Sequence, residues 1–157
     1  MRRILFWSTF LVFLLTAAGC DSATSPLDPI NPNRLRSDGF HLVVSTVRTG
    51  PDSLTFRLAL QNRGPEDQTL TFGSSQAYDI EVRDLDGELL WKWSYGQVFL
   101  DYVWDLELAA GESYTRETVW DIKENDATPL APGTYKCKCY ITCHPQTGLV
   151  SEFRLTL

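Results

Sequence analysis

The chain has 157 residues, 14 Lys+Arg against 20 Asp+Glu, a formal charge of −6 and only two histidines. An acidic surface argues against nucleic acid and against charge-driven binding to anionic lipid. The length allows one domain of ordinary size with a real core.

The N-terminus reads as an export signal. In "MRRILFWSTFLVFLLTAAGC", Arg2 and Arg3 precede an apolar run too short to span comfortably, then small residues ending at Cys20. The Cys directly after "TAAG" resembles a bacterial lipobox, in which the thiol is acylated and becomes the new N-terminus. Ala17 stands where that pattern usually has Leu, so ordinary cleavage after Ala18 is the alternative. Residues 1–19 are therefore expected to be a lipoprotein signal peptide, and Cys20 the site of a membrane anchor. Losing Arg2 and Arg3 leaves twelve basic against twenty acidic residues, a charge of −8. Residues 20–36, rich in proline and turn formers, read as a tether. The expected location is the bacterial cell envelope, facing the periplasm or the exterior.

From residue 37 to residue 157 alternation replaces helical periodicity. "FHLVVSTV" is an apolar strand, and "SLTFRLALQN" alternates with Leu54, Phe56, Leu58 and Leu60 on one face. "RGPED" breaks it and "QTLTF" is short. "AYDIEVRD" puts Tyr78, Ile80 and Val82 inward, leaving Asp79, Glu81 and Arg83 as a solvated stripe. Asp86-Gly87 predicts a hairpin into a strand with Leu89, Trp91 and Trp93 on one face. "VFLDYVWDLELAAGES" alternates again, placing Leu100, Tyr102, Trp104, Leu106 and Leu108 together before an Ala110-Gly111 turn. "ESYTRETVWDI", the strand "YKCKCYITC" after a Pro132-Gly133 turn, and "LVSEFRLTL" complete about eight or nine strands. The expected fold is all-β, an antiparallel, Greek-key, immunoglobulin-like β-sandwich. Trp91, Trp93, Trp104 and Trp120 lie on apolar sides and are expected in its core.

Three cysteines crowd one strand. Cys137, Cys139 and Cys143 share a face with Tyr135 and Ile141, opposite Lys136 and Lys138. Buried small apolar residues are the expected reading. A bridge from Cys143 to Cys139 or Cys137 is one alternative. Cys137 and Cys139 do not pair readily, being i and i+2 in a strand, roughly 6.6 Å apart with parallel side chains. A zinc site completed by His144 is the other alternative, although an extended strand points Cys143 and His144 to opposite faces.

The acids of "DLDGE" resemble the start of an EF-hand loop, but the twelfth position from Asp84 is Tyr95 where a bidentate Glu is needed. No nucleophile elbow, phosphate loop or zinc-hydrolase motif appears. The chain is not expected to be an enzyme or to use a cofactor or metal.

Several fragments stand in a familiar order. They are Ser75-Gln76-Ala77-Tyr78-Asp79, Trp91-Lys92-Trp93-Ser94, Gly111-Glu112-Ser113 and Pro132-Gly133-Thr134-Tyr135. Over about residues 40–157 the chain resembles the BsuPI family, named for an intracellular proteinase inhibitor of Bacillus. The resemblance implies an immunoglobulin-like sandwich and suggests inhibition of subtilisin-type serine proteases. In the family's pattern the position of Cys137 or Cys139 is a plain small or apolar residue. No inhibitory residue is carried over. Mechanics alone nominates a loop: a substrate-like inhibitor presents a stiff extended segment to the protease cleft. "SYGQVF" follows one Trp-bearing strand and precedes another, so Tyr95, Gly96, Gln97, Val98 and Phe99 are the candidate contacts. The alternative function is a non-inhibitory envelope module that binds another protein, or carbohydrate through exposed aromatics.

Overall fold

The alternation of the sequence becomes nine strands in a computed structural model that describes residues 39–144 and 148–157. The expected leader, Cys20 and the whole tether lie outside the described residues. In chain order the strands are β1 Phe40–Gly50, β2 Ser53–Asn62, β3 Gln68–Phe72, β4 Tyr78–Arg83, β5 Leu89–Lys92, β6 Trp104–Leu108, β7 Ser113–Trp120, β8 Thr134–Ile141 and β9 Val150–Thr156. One sheet has the order β1-β2-β7, another β5-β4-β8-β9, and β3 pairs with β6. Every pairing is antiparallel. The chain leaves β2, builds part of the second sheet and returns through β7 to pair with β2, as a Greek key requires.

The two larger sheets share one core. Leu54, Phe56, Leu58 and Leu60 of β2 are buried with Tyr78, Ile80 and Val82 of β4 and Cys137 and Cys139 of β8. Period-two alternation is what lets each strand offer a complete apolar face. Aromatic rings bridge the layers: Trp91 of β5 lies 5.1 Å from Trp120 of β7 and 6.1 Å from Phe56. Such pairs add about 0.5–1.5 kcal/mol beyond the area they bury. The Tyr78 hydroxyl meets the Thr118 hydroxyl at 2.7 Å, a polar tie between the same layers.

The turns hold the strands in register. Asp84 accepts from the Gly87 and Glu88 amides at 2.6 and 2.8 Å, and Gly87 has φ +99°, which suits glycine. Asn62, fully buried, donates to the Glu66 and Leu108 carbonyls and accepts from Gly64 N. It thereby ties the Gly64-Pro65 loop to the turn before Gly111. At the start of β8 the Tyr135 hydroxyl donates to the Ala131 carbonyl at 2.6 Å. A tyrosine at this place, bonding back to the backbone upstream, is the tyrosine corner of immunoglobulin-like sandwiches.

Three sequence expectations change. Residues 98–103 are not strand: β6 starts only at Trp104, and Leu100 and Tyr102 face solvent. Leu89 is exposed, because the ladder shifts register between Val82 and Arg83 at the sheet edge. The stripe Asp79, Glu81, Arg83 is not a solvated face; Asp79 and Glu81 are 1% and 9% exposed. The tryptophans do pack on the core, Trp120 completely and Trp91, Trp93 and Trp104 in part.

Cys137, Cys139 and Cys143 are buried in the core and none forms a disulfide. Burial pushes the Cys137 thiol up to about 12 and Cys139 higher still, so neither is a nucleophile near neutrality. Among the described residues no group of three or more His, Cys, Asp and Glu is arranged to hold a metal.

Candidate functional site

The segment between β5 and β6 is the most apolar exposed part of the described chain. Tyr95, Val98, Leu100, Tyr102 and Val103 all face solvent, Val98 at 93% exposure. Of the expected contacts, Tyr95, Gly96, Gln97 and Val98 are exposed, and Phe99 is half-buried against Trp93 at 5.7 Å. The apolar surface continues past them through Leu100 to Val103, which the strand-like alternation of "FLDYVW" concealed.

Both stems of this loop are anchored. On the incoming side Trp93 stacks on Tyr78 at 4.2 Å, and Trp93 N donates to the Ile80 carbonyl at 2.9 Å. Ser94 then donates through its hydroxyl and its amide to the Asp79 carboxylate, at 2.7 and 3.2 Å. A turn follows, in which Tyr95 N donates to Lys92 O and Gln97 N to Ser94 O. Gly96 takes φ +72° there, a conformation that side chains disfavour. The Gln97 side-chain amide folds back onto the Trp93 carbonyl. On the outgoing side Ser75 N and Leu100 O bond at 2.9 Å, as do Leu100 N and Ser75 Oγ. Trp104 Nε1 donates to Ser74 O at 2.7 Å, and its ring stacks on Phe72 at 4.3 Å.

Asp79 is the hub of the incoming anchor. Beyond Ser94 it accepts from Gln76 Nε2 at 3.1 Å and the Tyr140 hydroxyl at 3.2 Å, and pairs with Lys92 Nζ at 3.3 Å. Its other oxygen takes the Ile80 amide at 2.9 Å. A buried carboxylate is tolerated when it is this fully bonded. Glu81 lies beside it, held by the Arg83 guanidinium at 2.9 Å and by Lys92 at 3.5 Å. Burial would raise the Glu81 carboxyl, but the Arg83 hydrogen bond and the charges of Arg83, Lys92 and Lys138 outweigh it and hold it below its ordinary value. Lys92 shifts upward: burial opposes this, but Tyr140 and Asp79 prevail.

The polar members of the motifs Ser75-Gln76-Ala77-Tyr78-Asp79 and Trp91-Lys92-Trp93-Ser94 therefore meet in space. Alternation alone assigns Asp79 to a solvated stripe, so the shared carboxylate is not legible from it. A polar residue next to each core aromatic was the available signal.

Beside the loop lies a groove of about 530 Å³ walled by Tyr78, Trp93, Tyr102, Trp104 and Tyr114, with Arg116 and Glu117 at its side. The Arg116 guanidinium sits 4.5 Å over the Tyr114 ring. The apolar loop thus combines exposed side chains with anchored stems and has an aromatic-lined groove next to it.

Residues 42–146 match the family described as BsuPI, intracellular proteinase inhibitor. No curated protein sequence matches the chain. Among solved structures, a CARDB domain from Pyrococcus furiosus in complex with di-metal ions is 16% identical, with TM-score 0.35 over 82% of this chain and 97% of that one. Bacteroides uniformis beta-glucuronidase is 20% identical, with TM-score 0.39 over 77% of this chain but only 13% of the enzyme. Pseudomonas fluorescens alkylpurine DNA glycosylase is 14% identical, with TM-score 0.40 over 76% of this chain and 31% of that one. All of these TM-scores are under 0.5, and the likenesses carry no argument about function.

Proposed function

Because the chain belongs to the BsuPI family of intracellular proteinase inhibitors, we propose that it inhibits a protease by inserting the loop between β5 and β6 into the enzyme's cleft. The observation that carries this reading is the loop's combination of exposed apolar side chains with anchored stems. An inhibitor must present an extended segment without loss of much chain entropy on binding. Here Asp79 and Ser94 hold one stem, and Ser75 with Trp104 the other. Val98, the most exposed, is the side chain best placed to enter a specificity pocket, flanked by Tyr95 and Leu100.

The target class proposed is a subtilisin-type serine protease, following the family. The leader and Cys20 lead us to place the protein on the cell envelope through a lipid anchor, so its target would be an exported enzyme. Binding is non-covalent, needs no cofactor, and makes the protein a partner of an enzyme rather than one itself.

The test is a titration of the protein, expressed from residue 21, against subtilisin-like, chymotrypsin-like and metallo-proteases with a fluorogenic substrate. Saturable inhibition of the subtilisin-like class, with the inhibitor left intact, supports the proposal. Degradation, or no inhibition at micromolar concentration, removes it. The non-inhibitory envelope module is the second reading, and the aromatic groove favours it: a pull-down partner that is no protease, lost on Tyr102→Ala, would establish it.

A further inference from the structure

The outer face of the sheet β5-β4-β8-β9 carries two neighbouring rows of charge that obey different rules. In one row, Lys92, Glu81, Lys138 and Glu152 stand directly across from one another on successive strands, alternating in sign. Cross-strand pairing favours that arrangement. In the next row, Arg83, Lys136 and Arg154 stand across from one another in the same way, and all are cations. Like charges directly opposite are destabilising. The repulsion is incurred on a protein whose overall charge is −6.

Glu81 relieves it at one end only. Arg83 is bonded to Glu81 Oε2 and to the Gly87 carbonyl. Lys136 reaches only the Leu85 carbonyl, which is neutral. Arg154 is exposed and has no ion pair among the described residues. The three residues line a concavity of about 570 Å³ together with Glu81, Lys138 and Glu152.

We propose that this row is a binding site for a compact polyanion of the diphosphate type. Adjacent strands are roughly 4.8 Å apart, so the outer cations stand roughly 10 Å apart along the row. A single phosphate is too small to bridge all three, whereas two linked phosphates place charge between each neighbouring pair. The exposed Arg154 fork suits bidentate contact with phosphate oxygens, while Arg83, whose fork is held by Glu81 and Gly87, contributes charge at the other end of the row. The site is on the sheet's outer surface, formed by β4, β8 and β9, and is independent of the protease-binding reading.

Calorimetric titration with inorganic pyrophosphate at low ionic strength tests it, with inorganic phosphate and an oligoglutamate peptide as comparisons. The expected result is saturable one-to-one binding of pyrophosphate, about tenfold or more tighter than phosphate, and weakened about tenfold or more by Lys136→Glu or Arg154→Glu. Arg57→Glu, in an exposed pair 3.8 Å from Glu117 on the other sheet, leaves binding unchanged. Melting curves serve as the fold control: Lys136→Glu makes the row alternate in sign, so it melts no lower than the parent. The proposal is overturned by no saturable heat, by equal binding in the row variants, or by oligoglutamate binding as tightly as pyrophosphate.

Discussion

Replacing Asp79 removes the point where the loop, the second sheet and β5 are joined. Asp79→Ala withdraws the acceptor of the Ser94 hydroxyl and amide, Gln76, Tyr140 and the Ile80 amide, and separates Lys92 from one of its two carboxylates. Breaking a buried charge pair by deleting one partner costs about 3–5 kcal/mol, and leaving donors unsatisfied costs about 1–3 kcal/mol each, though these do not add. Lys92 is partly exposed and keeps Glu81, so the charge-pair contribution is discounted. A loss of about 3–4 kcal/mol is expected, and about 3–5 °C of melting temperature per kcal/mol gives a fall of roughly 10–20 °C. Circular dichroism melts would read it. Asp79→Asn keeps the shape and one acceptor oxygen and should fall between parent and Asp79→Ala. Limited proteolysis should find residues 95–103 cut faster in both variants, since the Ser94 anchor is loosened. If Asp79→Ala melted within a degree or so of the parent, the network would not be what holds the stem.

Asn62→Ala should destabilise by about 2–4 kcal/mol, since the Leu108 and Glu66 carbonyls and the Gly64 amide lose one buried partner together; urea melts would measure it. Tyr135→Phe removes the corner bond to Ala131 and should cost about 1 kcal/mol with the fold unchanged. The thiols should react with an alkylating agent only after denaturation, as mass spectrometry would show, because all three are buried. Cys137 is raised from 9.0 to about 12 on folding, so its contribution is present below pH 9 and lost as pH rises towards 12. Glu81 is lowered from 4.5, so its contribution is present above pH 4.5 and lost as pH falls through its folded value. Acid and alkaline melts should differ between the parent and Glu81→Gln only at the acid end.

Much of the sandwich was legible because strands with one buried face must alternate. Leu54 to Leu60 and Tyr78 to Val82 announced both inner faces, and the cysteines took the same pattern into β8. The same rule misread two places. Asp79 and Glu81 alternate outward, which fixes only the face of the sheet. Whether that face is wet depends on Lys92, Ser94 and Tyr140, brought from elsewhere in the chain. Residues 98–103 alternate well enough to pass for strand, yet Leu100 bonds through its backbone to Ser75 and the segment joins no ladder. Period-two apolar patterning describes an extended chain, and an extended loop presenting apolar groups to a partner satisfies it equally. Mechanics nominates Tyr95 to Phe99; that the exposed apolar stretch runs on to Val103 emerges only from the observed start of β6 at Trp104.

The central claim is that this loop occupies a protease cleft. The most direct measurement is a pair of inhibition constants against one subtilisin-type protease, for the parent and for Val98→Asp. Val98 touches little of the fold at 93% exposure, so the melting temperatures should agree. Saturable inhibition by the parent is expected, with a loss of about tenfold or more on placing a charge at the loop's apolar tip. Equal inhibition by the two proteins would put the contact elsewhere on the surface, and no inhibition by either would contradict the proposed function.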